Sequence, residues 1–257
     1  MKSLLVPINY TDNAANAARY AADLALALEA DLHLLHVLDL GYAFEQTEEN
    51  GRHLLDSVRA QLLERTHGQI AVTTRLTLGD VEAAIEESCR RLDPFAVLMG
   101  ADDVLFHGGF AENHITRALA RLRKPLLVIP SGATFHAIRK IVLACELKDI
   151  ASELPVSLGF LQQLKTVFSC SFDILNISGR EDKGLSDVFR ATLQDLYPEL
   201  HFLRSSHVEE GIHDYLKANP VDWLMVFPKK HGLLEFHNSH AKRIVTNCPI
   251  PILSIRA

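Results

Sequence analysis

Residues 97–130 read VLMGADDVLFHGGFAENHITRALARLRKPLLVIP. An apolar run opens the stretch, a loop and a helical period follow, and a second apolar run closes it: strand, loop, helix, strand. The pattern returns 126 residues later as WLMVFPKKHGLLEFHNSHAKRIVTNCPIPILSIR, residues 223–256. Aligned without a gap, Leu98 meets Leu224, Met99 meets Met225, Phe110 meets Phe236, His114 meets His240, Pro125 meets Pro251 and Ile129 meets Ile255. Matched apolar periods with matched breakers mean one structural unit used twice.

Composition bounds what those units can be. The chain has 257 residues, 48% of them hydrophobic, enough for two domains that each bury a core. Its net charge of −6 argues against nucleic acid or an anionic membrane as the main partner. MKSLLVPIN has one lysine and too short an apolar run for a secretory signal. No stretch approaches the roughly 18–20 apolar residues that a transmembrane helix needs. Cys89, Cys145, Cys170 and Cys248 show no paired spacing, which fits reduced thiols in a cytoplasm, and each reads as a small buried hydrophobe.

From the N-terminus, SLLVPI (3–8) predicts a strand, and AANAARYAADLALALEA a helix with Thr11 or Asp12 as N-cap. DLHLLHVLDL (31–40) predicts a second strand. The helix expected over 44–66 carries a stripe of Leu54, Leu55, Val58 and Leu62. QIAVTTRL (69–76) predicts the third strand. Gly79-Asp80 opens a helix to Arg91, FAVLM is the fourth strand, and a helix over 111–121 precedes the fifth. The strands are continuous apolar runs alternating with helices, the pattern of a parallel sheet covered on both faces.

After a short joint at 131–140, KIVLACEL repeats the first strand, now offset by 137, so the second copy is shorter in its middle. DIASELPVSLGFLQQLK repeats the first helix, with Pro155 expected in its opening turn. SCSFDILNIS, HFLRS, VDWLMVF and PIPILSI supply the remaining strands, with helices near 183–196 and 208–218.

Three segments carry a resemblance. VPINYTDNAANAARYA resembles the opening of universal stress protein domains, which run Val-Pro-x-Asp-x-Ser-x-x-Ala. LTLGDVEAAIEESCRRLDPFAVLMG resembles their third strand, Gly-Asp turn, helix and fourth strand, and KHGLLEFHNSHAKRI looks like the fourth helix of tandem members. The resemblance implies two flavodoxin-like α/β domains, residues 1–132 and 138–257. Each would be a doubly wound, five-stranded parallel sheet of order 3-2-1-4-5. It also implies an intramolecular pseudo-dimer, with the halves pairing as subunits do in the family's dimers, commonly through the fifth strands.

It further implies a nucleotide site, with contacts carried over onto Pro7, Asn9, Val37, Gly100, Asn113 and Ser239. ATP-binding members carry Gly-x2-Gly-x9-Gly-Ser/Thr after the fourth strand, where backbone N–H groups and a helix N-terminus meet the phosphates. Gly100 matches the first glycine, but Asp103 stands at the second and Glu112-Asn113 at the Gly-Ser pair, one residue short. Asn9 replaces the first-strand Asp. In the second half Val226, Lys229 and Asn238-Ser239 take the motif positions, and Glu146 the first-strand Asp. Lys229 and Lys230 read as solvated surface, and Gly108-Gly109 as a flexible turn rather than a substitute phosphate loop.

Other chemistry is sparse. There is no Gly-x-Ser-x-Gly elbow, Walker A loop or Cys-x2-Cys. His237 and His240, spaced i, i+3, with His231 upstream form a weak metal candidate; an exposed helix face is the favoured reading and no metal is expected. His33 and His36 have opposite parity on their strand and face opposite ways. The sequence reading is therefore a cytoplasmic, non-enzymatic stress-response or regulatory binding module without a resident cofactor. A protein or small molecule is its partner, and a homodimer of the tandem chain is allowed. The alternative is an ATP- or AMP-binding protein with slow ATPase activity through Gly100, Asn113 and Gly108-Gly109.

Overall fold

Ser3–Ile8 (β1) is a run of apolar, partly β-branched residues buried almost throughout, as befits the middle strand of a two-faced parallel sheet. The computed structural model describes residues 2–38, 47–101, 121–177, 193, 196–203, 205, 207–227, 244 and 248–255, with 147–157 described as backbone. Two compact units divide the chain, Met1–Phe135 and His136–Ala257.

In the first unit β1 pairs in parallel with β2 (Asp31–Leu38) on one side and β4 (Ala96–Gly100) on the other. Beyond them lie β3 (Val72–Leu78) and β5 (Leu126–Ile129), giving the expected order β3-β2-β1-β4-β5. Helix α1 (Asp12–Leu28) begins where the Thr11 hydroxyl accepts the Ala14 N–H, so Thr11 is the N-cap. Six of its nine buried residues are alanine, which lets the helix axis come close to β1 and β4. In α2 (Glu48–Arg65) the predicted stripe is buried at Leu55, Val58 and Leu62 and extends N-terminally to Gly51. Asp80 caps α3 (Val81–Leu92) through the Ala83 N–H. The third strand starts and ends later than the expected 69–76, and the expected helix over 111–121 lies largely outside the described residues.

The second unit repeats the arrangement. β6 (Lys140–Cys145), β7 (Ser171–Asn176), β8 (Glu199–Phe202), β9 (Trp223–Val226) and β10 (Ile252–Ser254) pair in parallel in the order β8-β7-β6-β9-β10. Helices α4 (Leu147–Phe168) and α5 (Val208–Ala218) belong to the same unit. Pro155 is not in an opening turn. It is the ninth of 22 helical residues, because the helix begins at Leu147 rather than near Asp149. A proline there leaves the Ala151 carbonyl without its helical N–H donor.

The registers correct the gap-free repeat. Val97 sits opposite Leu126 in the first unit, and Leu224 opposite Ile252 in the second. The fifth strands keep the 126-residue offset, but the fourth strands are offset by 127. Val97 therefore corresponds to Leu224, Leu98 to Met225, and Gly100 to the buried Phe227 rather than to Val226. The second copy has one residue fewer between these strands.

Asp222 ties the start of β6 to β9. Its Oδ2 accepts the backbone N–H groups of Arg139 (2.6 Å) and Lys140 (2.8 Å), and Oδ1 faces His136 Nε2 at 2.9 Å. Replacing it strands two amides at a strand end. Asp222→Ala should lower unfolding stability by about 1–3 kcal/mol, read as a lower urea midpoint than wild type.

Candidate functional site

Open parallel sheets bind ligands beyond the C-terminal ends of their strands, where the strand order reverses. In the first unit that point lies between β1 and β4. The Phe95 N–H donates to the Ser3 carbonyl, so residues of Ser3's parity turn their backbone groups toward β4. Pro7 has that parity and has no N–H to give. The β1–β4 ladder accordingly covers Leu4↔Ala96 and Leu5↔Val97 and stops. In the second unit Ala144 stands at Pro7's place and the ladder runs from Ile141↔Trp223 to Ala144↔Val226. Only the first unit has a ladder that opens early.

The lip of that opening is built by the turn from β1 into α1. Asn9 Oδ1 accepts from the Thr11 N–H (3.0 Å) and from the Thr11 hydroxyl (2.6 Å). The same hydroxyl accepts from Ala14, so Asn9, Thr11 and the helix start form one relay. Asn13 Nδ2 donates to the Ala101 carbonyl at 2.5 Å. Asn16 Nδ2 donates to the carbonyls of Pro130 (3.3 Å) and Ala133 (3.2 Å). A Cβ on Gly100 would lie 2.3 Å from the Asn13 carbonyl oxygen. Gly100 is therefore required by α1 pressing on the end of β4, before any question of phosphate.

One further side chain fixes this edge. His36 is buried, and its Nδ1 lies 2.7 Å from the Ile8 carbonyl, which assigns the ring proton to Nδ1. Nε2 has no partner among the described residues. Gly51 of α2 closes over the ring, where a Cβ would come within 3.0 Å of His36 Cδ2 and 2.9 Å of Leu76 Cδ1. Tyr10 meets the ring edge-on at 5.4 Å. His33 lies on the other face, as its parity requires. Tyr10 and Leu78 are 50% and 63% exposed at the strand ends, and Val37 is half-buried between them in the sheet.

Of the residues singled out from sequence, Pro7, Asn9, Val37 and Gly100 come to this one edge. Asn113 and Ser239 lie outside the described residues, as do Asp103, Gly108, Gly109, Glu112, Lys229, Lys230, Asn238 and the histidines His231, His237 and His240. Sequence reasoning missed Asn13 and Asn16; two amides at i, i+3 on the sheet-facing start of an alanine-rich helix were the available signal. A separate cleft of about 520 Å³ in the second unit has a floor of Ile212, Leu216 and Ile244 and an acidic rim of Glu209, Glu210 and Asp214, which disfavours anions. Burial pushes the thiols of Cys89, Cys170 and Cys248 up to about 11, so none is a thiolate nucleophile near neutral pH.

The model of the universal stress protein family matches residues 1–130. The chain belongs to the universal stress protein family. No curated protein matches it significantly. Among solved structures, a universal stress protein from Archaeoglobus fulgidus DSM 4304 aligns with a TM-score of 0.75 at 11% identity, covering 99% of this chain and 98% of its own. A putative universal stress protein from Pseudomonas aeruginosa UCBPP-PA14 gives 0.60 at 13%, covering 99% and 93%. The cytoplasmic domain of a prokaryotic cation chloride cotransporter gives 0.51 at 12%, covering 98% and 94%. At these identities the likeness is one of fold. Among the described residues no helix is long and apolar enough to cross a membrane.

The packing at Gly100 predicts a stability effect. Gly100→Ala should destabilise by about 1–3 kcal/mol through overpacking against α1, measured as a fall in the thermal or urea midpoint without any ligand present.

Proposed function

We propose that this universal stress protein is a non-enzymatic, cytoplasmic regulatory binding module. In this reading residues 1–132 form a domain that keeps a ligand-binding edge, and residues 138–257 a degenerate second domain that has lost it. The observation that carries the reading is the contrast at the switch point. The β6–β9 ladder stays paired to Ala144–Val226 with a buried Phe227 at the glycine position, whereas the β1–β4 ladder opens at Pro7.

The chemistry of the first lip favours a small, weakly charged ligand over a triphosphate. Asn9 is neutral and already bonded to Thr11, Asp12 adds a negative charge to the first turn of α1, and Tyr10 supplies exposed apolar surface. By the family's motif, Asp103 and Glu112 stand where phosphates would be held, and unpaired like charges there cost several kcal/mol. The second reading, an ATP- or AMP-binding protein with slow ATPase activity through Gly100, Asn113 and Gly108-Gly109, draws support from the same opening at Pro7.

Calorimetry with ATP and with AMP separates them. No saturable binding is expected at micromolar nucleotide, and the triple change Asp103→Gly, Glu112→Gly, Asn113→Ser should introduce it. Micromolar ATP affinity in the wild type, abolished by Asn113→Ala, would replace this reading with the second.

A further inference from the structure

The second unit carries a polar cluster on one face of its sheet that the first unit lacks. Lys140 opens β6, Asp173 is the third residue of β7, and Glu199 and His201 are the first and third of β8. The registers Lys140↔Ser171, Asp173↔Glu199 and Leu175↔His201 put all four side chains on one face. Asp173 is only 3% exposed, and its Oδ2 accepts from Lys140 Nζ at 2.8 Å. His201 Nε2 lies 3.3 Å from the same oxygen and 3.9 Å from Glu199 Oε2. Tyr215 of α5 stands against His201 with ring centroids 5.3 Å apart. Its hydroxyl is sealed from solvent without a partner among the described residues. Burial, then the charges of Asp173 and Glu199, push its pKa up to about 12.

The first unit shows what the same positions look like as plain structure. His33 stands at Asp173's register position, Thr73 at that of Glu199 and Arg75 at that of His201. His33 Nδ1 faces Thr73 Oγ1 at 2.5 Å, and Arg75 Nη2 pairs with Glu87 of α3 at 2.9 Å. Burial, the largest influence on it, holds His33 below its usual range, and its ring partner is a hydroxyl rather than a carboxylate. The second unit has replaced it with two carboxylates and an imidazole whose donor atoms all lie within 4.8 Å of one another.

That spacing is close to a coordination sphere. Zinc takes nitrogen and carboxylate oxygen at about 2.0–2.2 Å, which sets neighbouring tetrahedral donors about 3.3–3.6 Å apart. The His201–Asp173 separation already falls there, and the His201–Glu199 separation of 3.9 Å lies just outside it. The exposed Glu199 side chain must swing inward to bring its oxygen, now within 4.8 Å of the others, up to that of Asp173. An imidazole among the donors disfavours magnesium and calcium, which prefer oxygen alone. We propose that Asp173, Glu199 and His201 form a zinc-type divalent metal site, three protein ligands with one position left to solvent, in which Lys140 neutralises the buried carboxylate when no ion is bound. Lys140 is the ion's built-in competitor: its ammonium occupies the Asp173 oxygen that the metal would take, and its flexible stem lets it leave.

Zn²⁺ titration of chelator-treated full-length protein tests this, with Co²⁺ as the spectroscopic probe. One equivalent should bind, Glu199→Gln and His201→Ala should each weaken binding at least about tenfold, and Co²⁺ should show ligand-field bands without thiolate charge transfer. Lys140→Met discriminates further. If the cluster is only an ion pair, that variant strands Asp173 and loses thermal stability whether or not zinc is present. If it is a metal site, Zn²⁺ restores the lost stability and binds more tightly than to wild type. The proposal is overturned if no equivalent binds, or if the bound equivalent survives His201→Ala and disappears in His237→Ala/His240→Ala.

Discussion

The central strand of each unit has neighbours on both sides, so every second amide along it must be donated to the fourth strand of the unit or left over. Which of those happens rests on one position. Pro7 has no hydrogen to donate, and the first unit's ladder opens there; Ala144 has one, and the second unit's ladder continues. The features at the two strand ends are arranged around this difference. Where the backbone is open, the start of α1 leans over the gap, Gly100 makes room for it, and the Asn13 and Asn16 amides donate to the carbonyls of Ala101, Pro130 and Ala133. Where the backbone is paired, a buried phenylalanine stands at the corresponding place.

This division lets two copies of one fold diverge without losing their cores. The continuous apolar runs of β1, β4, β6 and β9 keep each sheet buried, and the two units differ in the side chains at the strand ends. The first unit keeps a lip whose Asn9 and Thr11 side chains are bonded to one another and whose Asn13 and Asn16 amides are bonded to backbone carbonyls. The second places its charged side chains lower, on the face of β6, β7 and β8, where Asp173 is almost fully withdrawn from water.

Strand order, helix placement and the repeat were legible because glycines, prolines and period changes punctuate the sequence, and because the cap at Thr11 has a recognisable side chain. The register of the fourth strands was not. A strand buried on both faces carries no alternation, so sliding Leu98 past Leu224 or Met225 leaves the pattern equally good. The start of α4 was misplaced for a related reason: its N-cap, Glu146, makes no side-chain capping bond, so nothing local marked the boundary ahead of Pro155. Of the lip, Pro7, Asn9, Val37 and Gly100 were legible by motif, while His36, Gly51 and the asparagine amides are defined by contacts between elements. The Asp173 cluster had no linear signature, since its members come from three strands and a helix.

The four cysteines, read first as inert packing, acquire a use from where the fold puts them. Cys89 lies on α3 in the first unit; Cys145 ends β6, Cys170 precedes β7 and Cys248 precedes β10 in the second. All are buried, so a thiol reagent can reach each one only when its own neighbourhood opens. The chain thus contains its own set of opening clocks. Labelling at Cys89 times excursions of the first unit and labelling at the other three times those of the second, without any introduced probe.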